Sequence, residues 1–164
     1  MNPPATEEDA AAAAETLALS AEESTAVADS ATAFAAALPA GRDGPYRLLA
    51  EAARAGSVPA EAVDLLEQVC ALALETGKAR QLGRAEAERL LSAVFYRTPR
   101  GRAMADEVSA VNRALGQLAG RSLQAARVAQ RLPGHYDLSL SVTGFSLTLE
   151  ITPEGISVRS LSAG

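Results

Sequence analysis

A chain of 164 residues is long enough for one domain with a real core plus a tail, and too short for two ordinary domains. Cys70 and His135 are each the only residue of their type, which excludes an internal disulfide and a Cys/His zinc site and leaves no metal or cofactor expected. No apolar run approaches membrane-spanning length and residues 1–9 are acidic where a signal peptide is basic, so the expectation is a cytoplasmic protein with no membrane partner.

The net charge of −5 is unevenly spread. Residues 1–40 carry seven acids and no base, whereas residues 78–131 carry eleven bases against four acids. Fourteen of the fifteen basic residues are arginine and alanine is abundant, the usage of a GC-rich, bacterial-looking genome, so arginine abundance alone is weak evidence for binding. The six aromatics leave a core built mainly from Leu, Val and Ala.

In chain order, residues 1–40 read as an acidic, Ala-rich arm, helical or disordered. Thr6 precedes an acidic turn, and Ser20 with Glu23 has capping-box spacing ahead of a second helical run. The apolar positions Leu17, Leu19, Val27, Phe34 and Leu38 are sparse, so packing must supply most of the arm's order. Residues 41–45, with Gly41, Gly44 and Pro45, read as a linker. A single α+β domain is expected over 46–164, with four or five helices in 46–132 and an antiparallel β-meander in 136–161.

Within it, Tyr46, Leu48, Leu49 and Ala53 fit a short helix ended by Gly56. Pro59 opens a longer one with Val63, Leu66, Cys70 and Leu74 on one stripe, ended by Gly77. A third is predicted from about Arg84 to Arg97. Thr98 and Pro99 read as N-cap and first-turn proline of a fourth, carrying Met104, Val108, Val111, Leu115 and Leu118 and stopping at Gly120. Residues 122–132 have helical spacing at Ala125, Val128, Ala129 and Leu132 and a helix-favouring composition; a helix is preferred there over an extra, fourth strand.

The C-terminus alternates cleanly. Tyr136, Leu138, Leu140 and Val142, then Phe145, Leu147, Leu149 and Ile151, then Ile156 and Val158 all interleave with polar residues. A two-residue loop at Thr143 and Gly144 pairs Val142 with Phe145 and Leu138 with Leu149. The loop 152–155 sets Ile151 opposite Ile156. The result is a three-stranded meander, four-stranded if 122–132 is extended, whose apolar face the helices must cover. With 122–132 helical, the first strand of the meander would be an open edge.

No catalytic constellation emerges, and an enzyme is not expected. Cys70 sits within an apolar stripe and reads as core. His135 lies in a turn with no nucleophile or partner motif nearby. Glu86 and Glu88 are two apart on a helix and point away from each other. The one suggestive segment is Arg97, Thr98, Arg100 and Arg102, where guanidinium groups flank the N–H groups at a helix start, a sensible site for an anion or an acidic partner. Arg80, Arg84, Arg89 and Arg113 extend it into a candidate basic face. Two functions compete: a protein–protein interaction module that self-associates or serves as an accessory subunit, and a nucleic-acid binder that uses 78–131 with the acidic arm as its mask.

Overall fold

The computed structural model describes residues 16–163 and shows an α+β protein in which helices precede a C-terminal four-stranded antiparallel sheet. The chain forms two compact units, Met1–Gly101 and Arg102–Gly164. The division falls near the start of the last helix. The helical expectation around Thr6 lies outside the described residues.

In the first unit a short antiparallel pair, β1 (Leu17–Ala18) and β2 (Ser57–Val58), precedes and follows two helices, α1 (Ala21–Ala37) and α2 (Gly44–Arg54). The predicted capping box starts α1: Glu23 N donates to Ser20 Oγ at 3.2 Å, and Ser20 N donates to Glu23 Oε2 at 2.8 Å. This helix buries Ala26, Val27, Ala28, Ala31 and Ala35. The small side chains let neighbouring helices approach closely, which is how a segment with few large apolar residues is held. The α2 helix contributes Leu49, Ala50 and Ala53, and Phe34 of α1 lies 6.4 Å from Tyr46 of α2, centroid to centroid.

After a 3-10 turn at Ala60–Ala62, α3 (Val63–Glu75) buries Leu66, Val69, Cys70 and Ala73. Gly77, at φ +70°, reverses the chain into α4 (Lys78–Phe95), which therefore starts well before the expected Arg84. Leu90, Leu91, Val94 and Phe95 of α4 are buried. The last helix, α5 (Pro99–Gly116), begins in the first unit and continues into the second.

The second unit is the body of α5 against strands β3 (Leu123–Leu132), β4 (His135–Val142), β5 (Phe145–Thr152) and β6 (Gly155–Ala163), in that spatial order. The register is the predicted one: Val142 opposite Phe145, Leu138 opposite Leu149, Ile151 opposite Ile156. Val111 and Ala114 of α5 pack on Leu147 and Leu149, joined by Leu118, Leu138, Ile156 and Val158. Burial of each such leucine contributes about 2 kcal/mol.

The expected helix at 122–132 is corrected: these residues form β3, antiparallel to β4. Local propensity for a helix is outweighed because β4 presents an open row of backbone groups, and two register shifts let β3 follow it. The exposed edges are consequently those of β3 and β6, not of β4.

Candidate functional site

Pro99 has no backbone N–H and Thr98 precedes it, so the chain must turn sharply out of α4 and be capped at once. The fully buried Thr98 does both: its Oγ1 donates to Phe95 O at 2.7 Å and accepts from Gly101 N at 3.2 Å. The turn is so tight that a Cβ on Gly101 would overlap Phe95 O and lie 2.6 Å from Phe95 C and 2.7 Å from Tyr96 Cα, all backbone atoms.

The start of α5 carries the positive end of a helix dipole, as the sequence suggests, but an acid of the same unit already occupies it. Glu67 of α3, itself buried, accepts from Arg100 N at 2.9 Å through Oε1. Arg97 turns to the other side of the corner. Its Nη2 donates to Glu23 Oε2 at 2.7 Å and its Nη1 to Ala18 O at 3.0 Å. One carboxylate oxygen of Glu23 thus serves both the α1 capping box and the Arg97 ion pair. The exposed Arg100 and Arg102, two positions apart on α5, project about 200° from each other, so the three guanidinium groups do not converge. Arg102 also lies in the second unit.

Two of the four arginines of the basic face are likewise paired. Arg80 bonds Glu88, with Nη2 donating to Oε1 at 3.2 Å, and Arg89 Nη2 donates to Glu86 Oε1 at 2.5 Å. The hydrogen bonds from Arg80 and Arg89 hold the carboxyls of Glu88 and Glu86 below the usual carboxylate range. Arg113 is exposed on α5, and the side chain of Arg84 lies outside those described. Burial, with the nearby Glu67 carboxylate adding to it, pushes the Cys70 thiol up to about 12, which suits its place in the core. His135 opens β4 opposite Leu132 and is half-buried. Among the described residues no group of His, Cys, Asp and Glu could hold a metal ion, and no helix is long and apolar enough to cross a membrane.

The surface that sequence reasoning missed lies in the second unit. One helix about 10 Å across cannot cover four strands spaced about 4.8 Å apart. Val111 and Ala114 sit over β5, and Glu107 reaches toward Gly155 at the β5–β6 turn. Val108 and Leu115, on the flank of α5 rotated away from Glu107, are 47% and 36% exposed. On β3, Leu123 and Val128 pair with Val142 and Leu138, so they belong to the apolar face, yet they are 61% and 65% exposed. Arg121 fixes this arrangement. Its guanidinium stacks 4.5 Å from the Phe145 ring centroid and donates to Thr143 O at 2.9 Å and, through Nε, to Gln117 O at 3.0 Å, tying the end of α5 to the β4–β5 turn. Part of the signal for this flank was present in the sequence, since Val108 and Leu115 are apolar one heptad apart on α5, but the β3 side becomes visible only once 122–132 is a strand.

No protein-family model, curated protein or solved structure matches the chain.

Proposed function

We propose that the protein is a non-enzymatic interaction module, a small accessory subunit that associates with a second copy of itself through the α5/β3 flank. The observation that carries this reading is the pair of exposed apolar strips on one unit: Val108 and Leu115 on α5, Leu123 and Val128 on β3. The two strips are complementary in kind, helix flank and sheet flank, so a two-fold axis would lay each copy's helix strip on the other's strand strip. Exposed apolar surface of this sort is a mark of an interaction site, and the β3 edge of the same unit is open.

Recovering about 1 kcal/mol at each of the eight side chains across the axis gives a gross gain of about 8 kcal/mol. Set against an association cost of roughly 4–15 kcal/mol, this leaves at most about 4 kcal/mol, a concentration-dependent dimer with a Kd of about 1 mM or weaker. The nucleic-acid reading loses force because Arg80, Arg89 and Arg97 are each held by an acid of the same unit. The test is sedimentation of the full chain with and without nuclease. A nuclease-insensitive dimer that Val128→Glu converts to monomer supports the reading. A monomer at every concentration, or material that absorbs at nucleic-acid wavelengths and is lost on nuclease treatment, overturns it. Leu48→Glu, at a 67% exposed position of α2 in the other unit, is the control that leaves association unchanged.

A further inference from the structure

The first unit carries an open cleft of about 290 Å³ between α1 and α4, remote in kind from the flank just described. Ala26, Ala87 and Leu90 form its floor and Leu82, 48% exposed, its lip, while Glu22 and Asp29 stand on its rim. The hydroxyls that face this region make no demand on a ligand. Thr25 Oγ1 donates to Ala21 O at 3.0 Å and Ser30 Oγ to Ala26 O at 2.8 Å, each satisfied within α1. Glu86, also at the cleft, is held by Arg89 at 2.5 Å. Asp29 makes no ion pair with any described residue, and Glu22 feels through space an Arg89 guanidinium already bonded to Glu86, so the acids on this rim outnumber the base beside them.

We propose that this cleft docks a short cationic amphipathic helix of a partner protein. The cleft is a trough rather than a closed pocket. Its α1 wall runs from Glu22 to Ser30, two helical turns or about 12 Å, the length over which a docked helix inserts two apolar side chains four residues apart. Its volume is at the lower end of the range of roughly 300–1,000 Å³ usual for small-molecule pockets, and its floor lacks the unsatisfied polar groups that orient such ligands. Charge selects the sign of the partner. Among the described lining residues the charges are those of Glu22, Asp29 and Glu86, offset only in part by Arg89, so an acidic helix is repelled and a basic one is steered in. Spacing selects its pattern: Glu22 and Asp29 are one heptad apart, about 10.5 Å along α1, which matches two basic side chains one heptad apart on the incoming helix.

The experiment uses the full chain, isotope-labelled, and a synthetic peptide of about 16 residues with two leucines four apart flanked by two arginines seven apart. The expected result is saturable amide shifts at Thr25, Ala26, Asp29 and Ala87 that weaken as salt rises. The combined Glu22→Gln and Asp29→Asn substitutions, both at exposed positions, lower the affinity about 3- to 30-fold. The same peptide with glutamate in place of arginine does not bind. Absence of shifts at about 1 mM peptide, shifts confined to other surfaces, or an affinity unchanged by the double substitution overturns the proposal. Self-association is read separately, on substitutions in α5 and β3, so either idea can fail without the other.

Discussion

Gly101→Ala tests whether the α4–α5 corner is as tight as its hydrogen bonds imply. At an exposed site inside a helix this substitution gains about 1 kcal/mol from propensity. At Gly101 the new methyl would overlap Phe95 O and lie 2.6 Å from Phe95 C, and backbone atoms cannot swing aside as a flexible side chain would. Relief requires α5 to lift from the end of α4. That strains the bonds from Thr98 N to Phe95 O at 3.0 Å, from Thr98 Oγ1 to the same oxygen at 2.7 Å, and from Arg100 N to Glu67 at 2.9 Å. Overpacking costs roughly 1–3 kcal/mol, and loss of even one neutral and one charge-assisted bond adds roughly 2 kcal/mol. Less the propensity gain, the net expectation is a destabilisation of about 2–4 kcal/mol, a large part of a total stability of roughly 5–15 kcal/mol. Urea unfolding followed by far-ultraviolet circular dichroism measures it as a midpoint lowered by about 1–2 M at unchanged slope. Gly116→Ala is the control: a methyl added there meets no atom within 4 Å, so the substitution changes stability by less than about 1 kcal/mol. A Gly101→Ala protein as stable as the parent would refute so tight a corner.

Three further outcomes are expected. Thr98→Val removes both hydroxyl bonds from a fully buried position and lowers stability by about 1–2 kcal/mol in the same urea assay, whereas Thr98→Ser, which keeps the cap, loses less than half as much. Cys70 should be inert to a thiol reagent at pH 8 in the folded protein and react on unfolding, since its thiol is raised from 9.0 to about 12. Because the folded state holds that proton more tightly, stability is complete below pH 9 and falls as pH rises toward 12, by at most about 1.4 kcal/mol per pH unit, a slope that Cys70→Ala abolishes in urea titrations. Leu147→Ala, under α5 at the centre of the sheet, lowers stability by about 2–5 kcal/mol, measured by thermal unfolding.

What could be read from the sequence was whatever short-range chemistry decides. The alternation through 136–158 and the lengths of two turns set the strand register, because any one-residue slip would move Leu138, Leu147 and Leu149 to the polar face. Ser20 with Glu23, and Thr98 with Pro99, announced two helix starts for the same reason. Features set by distant residues were not legible. An Ala-, Gln- and Arg-rich segment became β3 only because β4 needed a partner, and nothing local records that need. The anion site foreseen at Arg97 and Arg100 is met by Glu23 and Glu67, 74 and 33 residues away, and a charge count cannot place those acids. The exposed flank of the sheet follows from a count of layers, four strands under one helix, which requires the fourth strand to be known.

The most direct test of self-association is sedimentation velocity of the nuclease-treated full chain over a range of about 0.05–2 mM, alongside Val128→Glu. Pairing through the α5/β3 flank predicts a reversible shift from monomer to a species of twice the chain mass as concentration rises, and a monomer throughout for the variant. A parent protein that stays monomeric across the range, or a variant that dimerises as the parent does, contradicts it.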